Sequence, residues 1–333
     1  RFRNVTGVQT CALPICASSR TMVLMRSLPR LGHVLNRNTR RGSRRNIAAH
    51  YDLGNAFYAQ WLDRRLSYSS ALYRQGGQTL EDAQQEKLDR IIELLELFGR
   101  ERVLEIGCGW GGLAEQLLDR YGCNLTALTL SSEQLEHTRN RLRRHIEQKN
   151  CDLRLQDYRD ADGTYDRVVS IEMLEAVGES YWPVYFDKLR KRLTPEGIAV
   201  LQVITIGEEH FETYRKYPDF IQKYIFPGGM LPTAGILKQQ IERSGMKLVS
   251  SELFGGSYAR TLIEWRDRFQ SAWPNIESSG FDIRFKRMWE YYLAYCQAGF
   301  ETGVLNVGLY KIRSEEHTSE LQSRFGISYA VFC

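Results

Sequence analysis

The chain has 333 residues, 43 % hydrophobic and 26 % charged, with 45 Lys and Arg against 40 Asp and Glu and a formal net charge of +5. That composition is ordinary for a globular protein and excludes a disordered or fibrous chain. No run approaches the ~18 apolar residues of a membrane span, and the N-terminus lacks the charged-apolar-small layout of a secretory signal, so the chain reads as soluble or peripheral to a membrane.

Both ends look foreign. Residues 5–15 resemble a translated sequencing adapter, and residues 314–323 resemble the same adapter read from its complementary strand. Residues 1–20 and 314–333 are therefore set aside as adapter-derived extensions, 21–45 read as a basic linker left from a truncated N-terminal region, and 46–313 as the folded domain. Setting the ends aside removes Cys11, Cys16 and Cys333; the remaining Cys108, Cys123, Cys151 and Cys296 show no C-x-x-C spacing. Neither a zinc site nor a disulfide framework is suggested, and a reducing cytoplasm fits. Arg37, Arg40, Arg41, Arg44 and Arg45 crowd the linker. They suit either a solvated segment or docking on anionic lipid, where each basic residue adds ~1 kcal/mol. Nucleic acid is a poorer partner, because no aromatic residues are interleaved with them.

From Asn46 the chain is dense in aromatics: Tyr51, Phe57, Tyr58 and Trp61. Thr79 with Asp82 predicts a capping box opening a helix whose Leu88, Ile91, Ile92 and Leu95 share one face and which stops at Gly99. Strands are expected over 102–106, 124–130, 165–171 and 198–206. Helices should follow the first three, the second being arginine-rich and running to about Asn150. Two helical stretches, 262–272 and 284–295, precede a last strand over 304–312. Such βα alternation predicts a parallel sheet that takes its ligand outside the carboxyl ends of the strands.

The loop after the first strand carries the chemistry. Gly107, Gly109 and Gly112 satisfy G-x-G-x-x-G, but the dinucleotide reading also needs an acid roughly 20 residues on, at the end of the second strand. Thr129-Leu130-Ser131 stand there instead. What the loop has is Glu105, a carboxylate two residues before the first glycine. It suits a cationic, phosphate-free ligand such as S-adenosylmethionine, whose Rossmann-like methyltransferases show hydrophobic-acid-x-G-x-G. A plain chain reversal would not need four glycines in six residues.

Further motifs stand in order: H-Y-D-L at His50, Y-S-x-A at Tyr68, T-L-S-x-E-Q at Thr129, E-A-V-G at Glu175, K-Y-I-F-P-G-G at Lys223, S-Y-A-R-T-L around Tyr258 and Y-Y-L-A-Y-C at Tyr291. With the glycine loop and Trp110, they make residues 46–313 resemble the cyclopropane-fatty-acyl-phospholipid synthase family. The resemblance implies an α/β, Rossmann-like class I methyltransferase fold: a mostly parallel seven-stranded sheet, helices on both faces and a helical cap that binds the acyl chain. It implies cofactor contacts at Tyr68, Ser69, Gly107, Gly109, Thr129, Gln134 and Tyr158. Thr129 and Gln134 suit hydrogen bonding, and Tyr158 offers a flat face to adenine.

The implied reaction adds the cofactor's methyl carbon to an acyl double bond in a phospholipid. It leaves a cation that a base quenches by closing a cyclopropane. Carboxylate charge and aromatic faces stabilise such a cation. Glu175 and Tyr258 match the family's catalytic positions, and Cys296 matches a family active-site cysteine. The family's base is a bicarbonate held in part by a cysteine and a histidine. Here those positions carry Ser70 and, counted without gaps from Glu175, Gln202, which weakens bicarbonate without excluding it. Without the base, hydride shift gives a methyl-branched or methylene chain. The resemblance also implies unsaturated phospholipid acyl chains as partners, peripheral contact with the cytoplasmic membrane face, and room for a homodimer. A small-molecule amine N-methyltransferase and a non-catalytic cofactor-binding protein are the competing readings. The basic tract argues mildly against the first, and the retained Glu175 and Tyr258 argue against the second.

Overall fold

The computed structural model describes Gly42 and residues 53–314. The terminal extensions beyond Ser314 and before residue 21, the arginines of the basic tract, and His50, Tyr51 and Asp52 lie outside the described residues.

A short helix α1 (Asn55–Tyr58) precedes α2 (Leu80–Leu95). The capping box forms as expected: Thr79 Oγ1 accepts from the Asp82 N–H at 3.2 Å, and the Asp82 carboxylate accepts from the Thr79 N–H at 3.3 Å. The helix ends earlier than Gly99, where Glu96 turns left-handed at φ 50°. Then follow β1 (Arg102–Ile106), α3 (Gly112–Tyr121), β2 (Asn124–Thr129), α4 (Ser132–Arg141), α5 (Arg143–Glu147), β3 (Cys151–Leu155), β4 (Tyr165–Ile171), α6 (Trp182–Arg192) and β5 (Leu193–Ile206). After these come α7 (Glu208–Lys216), a single π-helical turn (Ile221–Ile225), α8 (Ala234–Arg243), β6 (Met246–Leu253), α9 (Gly255–Ser278), α10 (Ile283–Glu301) and β7 (Leu305–Ser314). The two late helices each extend well beyond the predicted stretches.

The seven strands run in the order β3-β2-β1-β4-β5-β7-β6. The first five are parallel, and β7 lies antiparallel between β5 and β6. Strand order reverses at β1, between β2 and β4, which places the ligand crevice at the β1 carboxyl end. Two strands escaped the sequence pattern. β3 carries Asp152 and Arg154 on an edge, and β6 is an edge strand whose residues are mostly exposed and whose register shifts between Leu248 and Ser250. Neither presents the buried apolar run of an inner parallel strand.

Alternate strand residues feed two cores, one on each face. Val103, Leu125, Val169 and Val200 pack under α2, α3, α9 and α10; Leu104, Leu128, Val168 and Leu201 pack under α6 and α8. Among the described residues no helix is long and apolar enough to cross a membrane.

Candidate active site

At the carboxyl end of β1 the chain turns through Gly107 at φ 82° and Gly109 at φ 52°, while Gly107 and Cys108 both donate to the Leu128 carbonyl at 3.0 and 2.9 Å. A Cβ at Gly107 would lie 2.6 Å from the Met173 side chain, so glycine is needed for space as well as for φ. The Trp110 ring donates to Asn55 Oδ1 at 2.7 Å, Thr138 Oγ1 donates to the Gly109 carbonyl at 3.0 Å, and Arg141 donates to the Trp110 carbonyl at 2.8 Å. The loop is thus buttressed by side chains from two helices, α1 and α4.

It opens on a cavity of about 670 Å³ with a mostly apolar lining. Among the predicted cofactor residues, Tyr68, Ser69, Glu105, Gly107, Gly109, Thr129, Gln134 and Tyr158 all line this one cavity. Thr129 Oγ1 donates to Gln134 Oε1 at 3.0 Å and accepts from the Ser131 N–H at 3.2 Å, fixing both side chains at the β2 end. Tyr158 packs edge-on against Tyr185, and burial pushes its hydroxyl up to about 12. Glu105 is 3 % exposed, its Oε2 has no hydrogen-bond partner, and burial alone pushes it up to about 8. An enclosed, unpaired carboxyl is costly unless a cation arrives, so this pocket fits S-adenosylmethionine, with its sulfonium and ammonium, and not a pyrophosphate.

The same cavity is lined by Glu172, Glu175, Tyr258, Tyr292 and Cys296. Glu175 Oε1 accepts from the Ile204 N–H at 2.6 Å, whereas its buried Oε2 has no partner. Burial, and then the charge of Glu172, push Glu175 up to about 8. Cys296 is half-buried in the cavity wall, and desolvation pushes its thiol well above the usual range.

The structure corrects the reading of Ser70 and Gln202. Both lie behind the cavity wall and hold Glu172, a residue the sequence pattern did not single out. The Ser70 backbone N–H donates to Glu172 Oε1 at 2.9 Å, the Gln202 amide donates to the same oxygen at 2.7 Å, and the Tyr258 hydroxyl donates to Oε2 at 2.8 Å. The Ser70 hydroxyl itself turns away to the Ala71 carbonyl at 2.9 Å. The Tyr258 hydroxyl thus positions Glu172, while its ring, stacked on Phe300 at 4.4 Å, lines the cavity. Glu172 sits at φ 50°, a left-handed conformation that costs a non-glycine residue about 1–3 kcal/mol and is retained where surrounding structure demands it. Burial raises its affinity for a proton, opposed by the three hydrogen bonds and by the charge of Lys87. Lys87, reached from α2 and 1 % exposed, donates to Ser69 Oγ at 2.8 Å; desolvation brings it down to about 8. Lysine in the middle of a helix gives no sequence signal of this kind, since it usually faces water.

A Rossmann-like sheet with an antiparallel seventh strand and a glycine loop preceded by an acid defines a class I methyltransferase fold. The sequence profile of mycolic acid cyclopropane synthetase matches residues 38–309, and the chain belongs to that family. It is 40 % identical over 278 residues to the tuberculostearic acid methyltransferase UfaA1 of Mycobacterium tuberculosis, covering 81 % of this chain and 65 % of that protein. It is also 40 % identical over 251 residues to the cyclopropane-fatty-acyl-phospholipid synthase of Escherichia coli K12, covering 75 % and 63 %. The chain thus spans slightly less than two thirds of the length of these relatives. Among solved structures it resembles the mycolic acid cyclopropane synthase CmaA1 complexed with SAH and CTAB, with a TM-score of 0.76 at 26 % identity, covering 81 % of this chain and 98 % of that one.

Proposed function

We propose that this chain transfers the methyl carbon of S-adenosylmethionine to the double bond of an unsaturated fatty acyl chain in a phospholipid, closing a cyclopropane with a carboxylate of its own as the base. The observation that carries the reading is Glu172, held by Ser70, Gln202 and Tyr258 at the wall of an apolar cavity shared with the glycine loop. Glu105, Thr129, Gln134 and Tyr158 would hold the cofactor, which supplies an electrophilic methyl group.

Methyl addition to one alkene carbon leaves positive charge on its neighbour. Glu172, Glu175 and the ring of Tyr258 face that charge across the mostly apolar lining of the cavity. Proton loss from the added methyl then closes the ring. Of the four lone pairs on the Glu172 carboxylate, two on Oε1 and one on Oε2 are occupied, which leaves one to take this proton. Of the two side chains expected to hold bicarbonate, the Gln202 amide is spent on Glu172 and the Ser70 hydroxyl on the Ala71 carbonyl, so the proposed reaction uses no bicarbonate.

A methyl-branched or methylene product is the second reading. Three hydrogen bonds and a nearby lysine reduce the basicity of Glu172. A cation that outlives methyl transfer rearranges by hydride shift from the methyl-bearing carbon; loss of a proton from that methyl to Glu172 then gives the methylene chain, and a saturated methyl branch requires a separate hydride donor. The shared 40 % identity to a tuberculostearic acid methyltransferase and to a cyclopropane synthase supports both outcomes equally.

The test is incubation with S-adenosylmethionine and a detergent-dispersed cis-unsaturated phospholipid, with the lipid product read by mass spectrometry and by proton NMR for ring or vinylidene hydrogens. Glu172→Gln should reduce turnover roughly 100- to 1,000-fold while leaving cofactor affinity nearly unchanged. Methylation of amines in a parallel panel, with no change in the lipid, would overturn the proposal.

A further inference from the structure

Two buried side chains of opposite charge type line the cavity with hydrogen-bonding capacity left unused. One is Glu105, whose Oε2 accepts no hydrogen bond. The other is Lys87, which is 1 % exposed and whose ammonium donates once, to Ser69 Oγ at 2.8 Å, leaving two of its three protons without an acceptor. Among the described residues Lys87 forms no ion pair; Glu172 and Asp63 act on it only through space. Both carboxylates are already held by their own donors. Glu172 has three, and Asp63 accepts from the Arg65 N–H at 3.0 Å and the Ser67 N–H at 2.6 Å. A buried ammonium is costly unless an anion meets it at hydrogen-bond distance. Arg65, also in the lining, is only half-buried and keeps part of its hydration.

The missing anion has to reach Lys87 from the cavity, on the side of the glycine loop. Ser69, which takes the Lys87 hydrogen bond, is joined to Ser70, whose N–H holds Glu172. Met173 follows Glu172 and lies against the loop, since a Cβ at Gly107 would come within 2.6 Å of its side chain. These neighbours lead from the ammonium to the loop that begins two residues after Glu105. A lipid headgroup phosphate would have to cross the apolar lining to arrive there, at a high desolvation cost. An α-amino acid, by contrast, carries an ammonium and a carboxylate on one carbon and can meet both unused groups at once.

We propose that Lys87 binds the carboxylate at the amino-acid end of S-adenosylmethionine, with the Ser69 hydroxyl as a second donor, while Glu105 takes the ammonium. This rests on the reading of the glycine-loop end of the cavity as the site of that cofactor. Ser69 Oγ accepts from Lys87, so its own hydrogen is left to turn toward the ligand. Lysine in the middle of α2 thereby becomes part of the cofactor site, although it lies in none of the motifs around the loop.

The experiment compares, by calorimetry on the full chain, S-adenosylmethionine with decarboxylated S-adenosylmethionine, which keeps the sulfonium and the amine and lacks only the carboxylate. Wild type is expected to bind the complete cofactor roughly 10- to 100-fold more tightly, the typical contribution of a hydrogen bond to a charged group. Lys87→Met should lose that preference by weakening S-adenosylmethionine alone, with the decarboxylated compound bound as before. Lys87→Gln keeps one donor, serves if the methionine variant does not fold, and should lose most of the preference. Glu105→Gln should weaken both compounds, since both carry the amine. A Lys87 variant that weakens the two compounds equally would make Lys87 a support of the pocket's shape, and one that weakens neither would put the carboxylate elsewhere; either result overturns the proposal. Equal binding of both compounds by wild type, with Glu105→Gln weakening both, would overturn the role of Lys87 and keep the cofactor. Binding of neither would refute the cofactor reading and the assignment with it.

Discussion

Glu105 was visible in the sequence because it stands two residues before a glycine loop, and a carboxylate there is unusual enough to question a dinucleotide. Glu172 is not visible in the sequence: it stands just outside the E-A-V-G motif at Glu175, and its hydrogen-bond partners Ser70, Gln202 and Tyr258 converge from three distant parts of the chain. The same convergence explains why Ser70 and Gln202 were read as ligands of a free anion. The positions are right for holding a carboxylate, through the Gln202 amide and the Ser70 backbone N–H, but the carboxylate belongs to the protein itself. Glu105 also gives a direct prediction. Its pKa is about 8 in the free protein, so it is largely protonated at pH 7, and a bound sulfonium and ammonium should draw the pKa down and release that proton. Calorimetry at pH 7 in buffers of different ionisation enthalpy should register the release for wild type and lose it in Glu105→Gln. Identical proton release by both proteins would remove Glu105 from the cofactor site.

Among the elements, the inner strands and α2 were legible, since buried parallel strands are continuous apolar runs and a capping box is a local signal. The edge strands β3 and β6 were not, because a strand with one exposed face and polar neighbours looks like a loop. α2 does more than pack. Its apolar face seats the helix on the sheet, and this places Lys87 beside Glu172 and Ser69. Lys87→Met should remove the cation that favours ionised Glu172, and the carboxyl pKa should rise further. If the ionised form is the base, as proposed, activity is lost as pH falls through that pKa. The acid limb of the kcat profile should therefore move to higher pH, with the alkaline side nearly unchanged. A uniform drop at every pH would instead mean that Lys87 only supports the fold.

For the molecule as a whole, the cofactor loop and the carboxylate pair open into one cavity, closed over by α9, α10 and the segment 208–230. On the proposed reaction, cofactor and acyl chain would share a single space, and a block at its outer end should separate their binding. Ala298→Trp, at an exposed point of the lining, should lower turnover on long acyl chains much more than on short ones and leave the Kd for S-adenosylmethionine unchanged. Equal losses for all chain lengths would show that the chain does not pass there. The helical cap itself was expected only through the family resemblance. Aromatics at helical spacing pack into cores as readily as they line tunnels, and nothing in their order distinguishes the two.

The left-handed backbone at Glu172 has a genetic consequence. Either glutamate codon becomes a glycine codon by one base change, and glycine is the residue for which φ 50° carries no penalty. Such a mutant would gain backbone comfort and lose its base in the same step, leaving a hole lined by the Ser70 N–H, the Gln202 amide and the Tyr258 hydroxyl. That hole has the donors and the size for a small planar oxyanion. Glu172→Gly should accordingly be nearly inactive in bicarbonate-free buffer, fold normally, and recover turnover in proportion to added bicarbonate or formate, whereas the wild type stays indifferent to both. Built-in and borrowed bases would then be neighbouring solutions on one scaffold, a single nucleotide apart.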